Sequence, residues 1–214
     1  AGRPWITDPL TLTRSNLALT VAPGAVLLAK RWSYNSTGAS ILTVVKSENV
    51  TLSGRGTFRM WRSDYNNPKW YRHGEWRMTL KLLGVKRVLV EDLTLELSGG
   101  DGIYVSSAND DTHKYAEDVL LRRVHSHFNY RQGISVISAR RLAVEDCVFD
   151  GTAGTPPMAG VDFEPDDAWQ ALDEITFTRC VFYNNSGFGA IVAAHALDST
   201  SLPIDITFTD CNFA

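Results

Sequence analysis

The sequence predicts an all-β solenoid, a single-stranded parallel β-helix of about six coils, and three observations carry that expectation. Four short segments superimpose: GIYVSS from Gly102, GISVIS from Gly133, GVDFEP from Gly160 and GAIVAA from Gly189, with starts 31, 27 and 29 residues apart. Each belongs with a second apolar run: VLLRRV from Val119, LAVEDC from Leu142, ITFTRC from Ile175 and ITFTDC from Ile206. No helical pattern of apolar residues lies between the runs. A unit of this length cannot bury its apolar face alone, so the units must stack on one another.

From the N-terminus, Pro9–Ala29 (PLTLTRSNLALTVAPGAVLLA) alternates like a strand pair closed by a Pro-Gly turn. ILTVVKSENVTLSG from Ile41 then aligns with TLKLLGVKRVLVED from Thr79 at an offset of 38, and the latter aligns with the Gly102 segment at an offset of 23. In the glycine-initiated strands the period of two sends Ile103, Val105, Ile134, Val136, Val161, Phe163 and Val192 inward. It sends out one file reading Tyr104, Ser135, Asp162, Ile191 and a second reading Ser106, Ile137, Glu164, Ala193. Cys147, Cys180 and Cys211 occupy one register of the second runs and are expected as a core ladder of free thiols. Their odd number, with no CxxC and no histidine read at metal spacing, argues against a disulfide framework and a zinc site.

The 214 residues are 44% hydrophobic, enough for one continuous core, and are read as one domain, 1–214. No apolar run approaches the ~18 residues of a membrane span. A net charge of −3 with scattered basic residues excludes a nucleic-acid footprint, so neither nucleic acid nor membrane is expected as a partner. The chain starts at Ala1 without Met and stops straight after TFTDCNFA. Because an open terminal coil exposes core and strand edges, a piece of a longer protein with its caps elsewhere is expected.

Chemistry concentrates in one coil. Asp162 and Glu164 stand at i and i+2 on the outward face, their backbones about 7 Å apart, and two acids without a basic neighbour in the strand repel, so one holds its proton more tightly. Glycoside hydrolysis asks for such a pair, one carboxyl as acid and the other as base or nucleophile. The bland alternative is a solvated acidic strand, since Asp166 and Asp167 follow at once. Asp101, Arg131 and Gln132 precede the strand glycines and supply hydrogen-bonding groups at the groove edge, and Tyr104 and Asp110 lie on the adjoining coil. The turn Met60–Met78 is swollen and carries Trp61, Trp70, Trp76 and His73 among arginines and tyrosines. Flat aromatics suit sugar rings and guanidinium groups suit an acidic sugar; packing of the loop on itself is the alternative. Asp162 and Glu164 are expected to be solvent-accessible, on the floor of a groove walled by this insertion. Asp162, Glu164 and Asp166 offer oxygens to Ca²⁺, but too few for a usual site, and neither a metal nor any other cofactor is expected.

The stacked coils, the turn YNNSGFGA from Tyr183, GGDGIYV from Gly99 and YRQGISVIS from Tyr130 resemble the pectin-lyase-like superfamily of right-handed parallel β-helices. That superfamily includes pectate lyases, polygalacturonases and other β-helix glycosidases, alginate lyases and epimerases, and phage tailspikes. The resemblance implies a secreted, periplasmic or cell-surface protein whose partner is a polysaccharide or oligosaccharide. Polygalacturonase-type hydrolases carry a double Asp, a Gly-His-Gly and an Arg-Ile-Lys; this chain has none in place, and Asp101 alone is carried over. Three classes stay open: a glycoside hydrolase using Asp162 and Glu164, with Asp101; a lyase or uronate epimerase using Arg131, His73 or Tyr104; and a non-catalytic binding or structural β-helix.

Overall fold

A computed structural model describes residues 2–214. The chain winds into coils of three short strands, and equivalent strands of successive coils pair in parallel, giving sheets of eight, seven and seven strands. This is a parallel β-helix. One seven-stranded sheet runs through Leu10–Leu12, Leu42–Val45, Leu80–Leu83, Ile103–Ser106, Gln132–Val136, Ala159–Phe163 and Ala190–Val192; it is called the cleft sheet below. Its seven strands are one more than the coil number expected from the sequence. Among the described residues the one α-helix is the four-residue turn Arg62–Tyr65 in the long insertion.

The glycine that opens each repeat has a steric cause. A Cβ on Gly102 would lie 2.7 Å from the carbonyl oxygen of Gly133, one on Gly133 2.5 Å from that of Gly160, and one on Gly160 2.7 Å from that of Gly189. Each coil therefore presses its backbone on the next at a position where a side chain does not fit. The inward file is buried as expected from Ile103 to Phe163, while Val192, on the last cleft-sheet strand, is 52% exposed. Phenylalanines fill the core towards that end: Phe149 stacks on Phe182 and Phe182 on Phe213, with Phe177 stacked on Phe208 beside them.

The cysteine ladder forms. Cys147 and Cys180 are buried and Cys211, in the final coil, is half-buried, all as free thiols. The amide of Cys180 donates to Cys211 Sγ at 3.4 Å, as that of Val124 does to Cys147 Sγ at 3.3 Å. Asp146, Arg179 and Asp210 immediately precede the three cysteines, and Asp92 and Arg123 precede Leu93 and Val124 at the same register of earlier coils, each of the five in the left-handed region with φ between 51° and 58°. They turn the chain from one sheet to the next. Their charges alternate up the stack, with Arg123 Nε on Asp92 and Arg179 Nε on Asp146, both at 2.7 Å.

Candidate functional site

On the outward face of the cleft sheet the register aligns Lys81, Tyr104, Ser135 and Asp162 in one file. Asp101 and Gln132 sit at equivalent positions two residues before the inward isoleucines, and each reaches up to the next coil. Ser135 Oγ donates to Asp101 Oδ2 at 2.9 Å, and Gln132 Nε2 donates to Asp162 Oδ2 at 2.8 Å. Arg131 Nη2 donates to Glu164 Oε2 at 2.7 Å. The expected cluster of Asp101, Arg131, Gln132, Asp162 and Glu164 is thus brought together by stacking of three coils.

One expectation is corrected. Asp162 is not accessible but fully buried, as are Asp101, Gln132 and Ser135. All five residues of Gln132–Val136 and of Ala159–Phe163 are buried, so the outward face here is covered as completely as the inward one. Glu164 is the carboxylate that reaches solvent, its side chain 38% exposed. The other oxygens, Asp101 Oδ1 and Asp162 Oδ1, and the Arg131 Nε donor are buried without a hydrogen-bond partner. Such orphaned polar atoms each cost of order 1–3 kcal/mol unless a bound water, an ion or a ligand from outside the chain pairs with them.

Burial decides the electrostatics. It raises Asp162 to about 7, with repulsion from Glu164 adding to the shift and Arg131 opposing it. It raises Asp101 to about 7 as well, opposed by Arg131 and the Ser135 hydrogen bond and assisted by Asp162 and Glu164. Asp166, exposed on the turn after Glu164, is pushed upward by desolvation, then by Glu164 and Asp167. For Arg131, burial pulls downward but Asp101, Glu164 and Glu75 outweigh it, and the guanidinium is held more firmly protonated than usual. Desolvation, followed by the charge of Asp166, lifts Tyr104 to about 12.

The expected groove lies to one side: Tyr104 borders it, but none of Asp101, Arg131, Gln132, Asp162 and Glu164 lines it, so the carboxylate pair is not its floor. A cleft of about 340 Å³ is bordered by Trp76, Lys81, Tyr104 and Asn109. Asn109 also borders a second, of about 590 Å³, together with Asp110, Lys114, Asp167 and Trp169. The two share Asn109, and each carries a half-exposed tryptophan, Trp76 and Trp169.

PfbA, a surface adhesin of Streptococcus pneumoniae, superimposes with a TM-score of 0.52 at 15% identity, over 95% of this chain and 50% of that one. The fold of this chain is a right-handed parallel β-helix. The same right-handed β-helix is similar to the tailspike gp49 of Acinetobacter baumannii bacteriophage Fri1, a capsular polysaccharide depolymerase. The TM-score there is 0.50 at 12% identity, over 94% of this chain and 44% of the tailspike. In sequence it is 30% identical over 158 residues to the uncharacterized protein YclG of Bacillus subtilis, a match that takes in 70% of this chain and 26% of YclG. The chain thus spans about a quarter of the curated relative it matches and half or less of these solved chains. No family model matches.

Most of the insertion in this β-helix packs on itself and on the preceding turn. Trp61 donates from Nε1 to the Ala29 carbonyl at 2.7 Å and lies under the Arg31 guanidinium. Trp70 meets Trp32 edge-on, Trp32 stacks on Tyr71, and fully buried Arg77 donates to the carbonyls of Tyr34 and Arg72. Trp76 alone of the insertion's three tryptophans borders the groove. His73 is exposed outside it. Asp110 is on the groove but tied to Lys46 Nζ at 2.8 Å and to His113 Nδ1 at 2.9 Å. Asn109 and Trp169 lie on the long turns after the cleft strands that the sequence also marks; Lys81 is the contact it misses, and its place in one file with Tyr104 is the signal. The sequence reading also passed over His125 and His127, which stand at i and i+2 on one strand, and Asp150 on the strand above.

Proposed function

We propose that this β-helix processes a polysaccharide outside the cell, as a glycoside hydrolase whose working carboxylates are Glu164 and Asp162, with Asp101 beneath. The observation that carries the reading is the contrast within one cluster: a solvent-facing carboxylate held by Arg131, and beside it a buried carboxyl that keeps its proton up to about pH 7. A carboxyl raised in proton affinity by burial, next to a carboxylate held by a guanidinium, offers a proton donor and an acceptor to one site. In this scheme Asp162 is the proton reservoir and Glu164 meets the substrate, with the sugar chain lying over Trp76 and Tyr104 towards Trp169. A surface adhesin and a capsular depolymerase among the structural neighbours support an extracellular carbohydrate partner. A lyase reading is disfavoured by the extra stabilisation of protonated Arg131, because a lyase base must be neutral to accept a proton.

The test is Glu164→Gln, assayed on neutral and acidic polysaccharides with reducing-end and ultraviolet readouts side by side. Turnover to new reducing ends should fall by about 10²–10⁴-fold with the fold intact. An unsaturated, ultraviolet-absorbing product would make the protein a lyase. Retained glycan affinity with no product from the unaltered protein would make it a binding module.

A further inference from the structure

We infer that His125, His127 and Asp150 form a binding site for one divalent cation of the zinc class, on a different sheet from the Asp162 cluster. The outward residues of His125–His127 and Val148–Asp150 are neighbours in the eight-stranded sheet, His127 paired with Asp150. His125 Nε2 lies 2.5 Å from Asp150 Oδ1, and His127 Nδ1 lies 2.8 Å from Oδ2. The three ligand atoms fall within 4.8 Å of one another. Around a tetrahedral zinc, with bonds of about 2.0–2.1 Å, ligand atoms stand about 3.3 Å apart. The two nitrogen–oxygen contacts fall short of that figure and no separation exceeds 4.8 Å, so side-chain adjustments of about an ångström admit the ion.

Three features make this more than a chance contact. The Asp150 side chain is only 2% exposed, yet among the described residues no lysine or arginine pairs with it; both of its oxygens face imidazoles. The His127 ring is held by Phe128, centroids 3.6 Å apart, and lies 4.6 Å from that of His125. Arg62 Nη1 donates to the carbonyls of Phe128 at 3.0 Å and Gly151 at 3.5 Å, clamping the residues that follow both ligand strands. Two imidazoles and one carboxylate form a borderline-soft donor set that selects zinc-like ions over calcium. On binding, each neutral imidazole carries its proton on the ring nitrogen facing away and gives the near lone pair to the metal. The His125 side chain, 39% exposed, leaves one side open to solvent. Three protein ligands with an open fourth position describe a zinc site that takes a water or an anionic group from outside.

Calorimetric titration of the metal-free protein with Zn²⁺, and with Co²⁺ followed by visible absorption, tests this. One ion per chain is expected, with cobalt bands of a low-coordinate site and a raised Tm. His125→Gln and His127→Gln, each folded by circular dichroism, should weaken binding about 100-fold or more and abolish the bands. His195→Gln, at an exposed histidine elsewhere, should change nothing. Absence of stoichiometric binding, or binding that survives in the His125→Gln, His127→Gln double variant, overturns the inference. Neither outcome bears on the Glu164 assay.

Discussion

Replacing Asp162 by Asn should stabilise this protein in alkali and do little in acid. A buried carboxyl whose proton affinity is raised on folding works against the fold once the unfolded chain has ionised. Below the unfolded value, near 3.8, both states are protonated and no difference exists; between there and about 7 the folded state holds a proton that the unfolded state has lost, so stability falls as pH rises; above about 7 the loss is complete. A separation of about 3 pH units at 1.36 kcal/mol each gives about 4 kcal/mol. The carboxamide cannot ionise and its oxygen still accepts from Gln132 Nε2, so Asp162→Asn removes this handicap while keeping the hydrogen bond. The expected gain is about 4 kcal/mol at pH 8.5, about 2 kcal/mol or less at pH 5 and almost none at pH 4. For a chain of this size the pH 8.5 value raises Tm by roughly 8–16 °C. Denaturant melts of both proteins by far-ultraviolet circular dichroism across that range decide the matter. A variant less stable at pH 8.5, or a difference independent of pH, would refute the assignment of a proton to Asp162. If Asp162 also supplies the proton in catalysis, the stabilised variant should be inactive.

Trp76→Ala should lower glycan affinity by up to about tenfold with little change in melting, whereas Trp61→Ala should lower Tm and leave affinity alone; affinity electrophoresis and thermal melts separate the two. Gly133→Ala drives a methyl to 2.5 Å from the Gly160 carbonyl and should cost about 1–3 kcal/mol or more, read from denaturant midpoints. Phe177→Ala empties the centre of the Phe163, Phe182 and Phe208 cluster and should cost about 3–5 kcal/mol, again by denaturation. An unchanged midpoint in either of these two would contradict the packing described.

The coil alignment was legible because strand stacking copies sequence offsets directly into pairing. The offsets of 38, 23, 31, 27 and 29 reappear as Leu42 on Leu80, Leu80 on Ile103, Ile103 on Ile134, Ile134 on Val161 and Val161 on Ala190. The residues of the carboxylate cluster were legible for the same reason. Their burial was not, since a period of two gives the direction of a side chain but not what the turns lay over it. Asp162 points outward and is still buried beneath its neighbours. The insertion misled in the opposite way: its tryptophans look like a sugar platform by composition, but Trp61 and Trp70 meet Arg31 and Trp32, a turn nearly a full coil earlier in the chain. The pairing of His125 and His127 with Asp150 needed the register between two coils, because Asp150 lies beyond any local motif.

The turn residues Asp92, Arg123, Asp146, Arg179 and Asp210 give the stack a parity. Each of the three inner rungs meets the opposite sign above and below. Removing or duplicating a single coil within this stretch would set like charge on like at one junction, while removing or duplicating two adjacent coils restores the alternation. The solenoid can therefore lengthen or shorten most readily by pairs, and a one-coil slip during winding is penalised by repulsion at the corner. Neighbouring coils are told apart by charge even where their strands, such as ITFTRC and ITFTDC, are nearly the same.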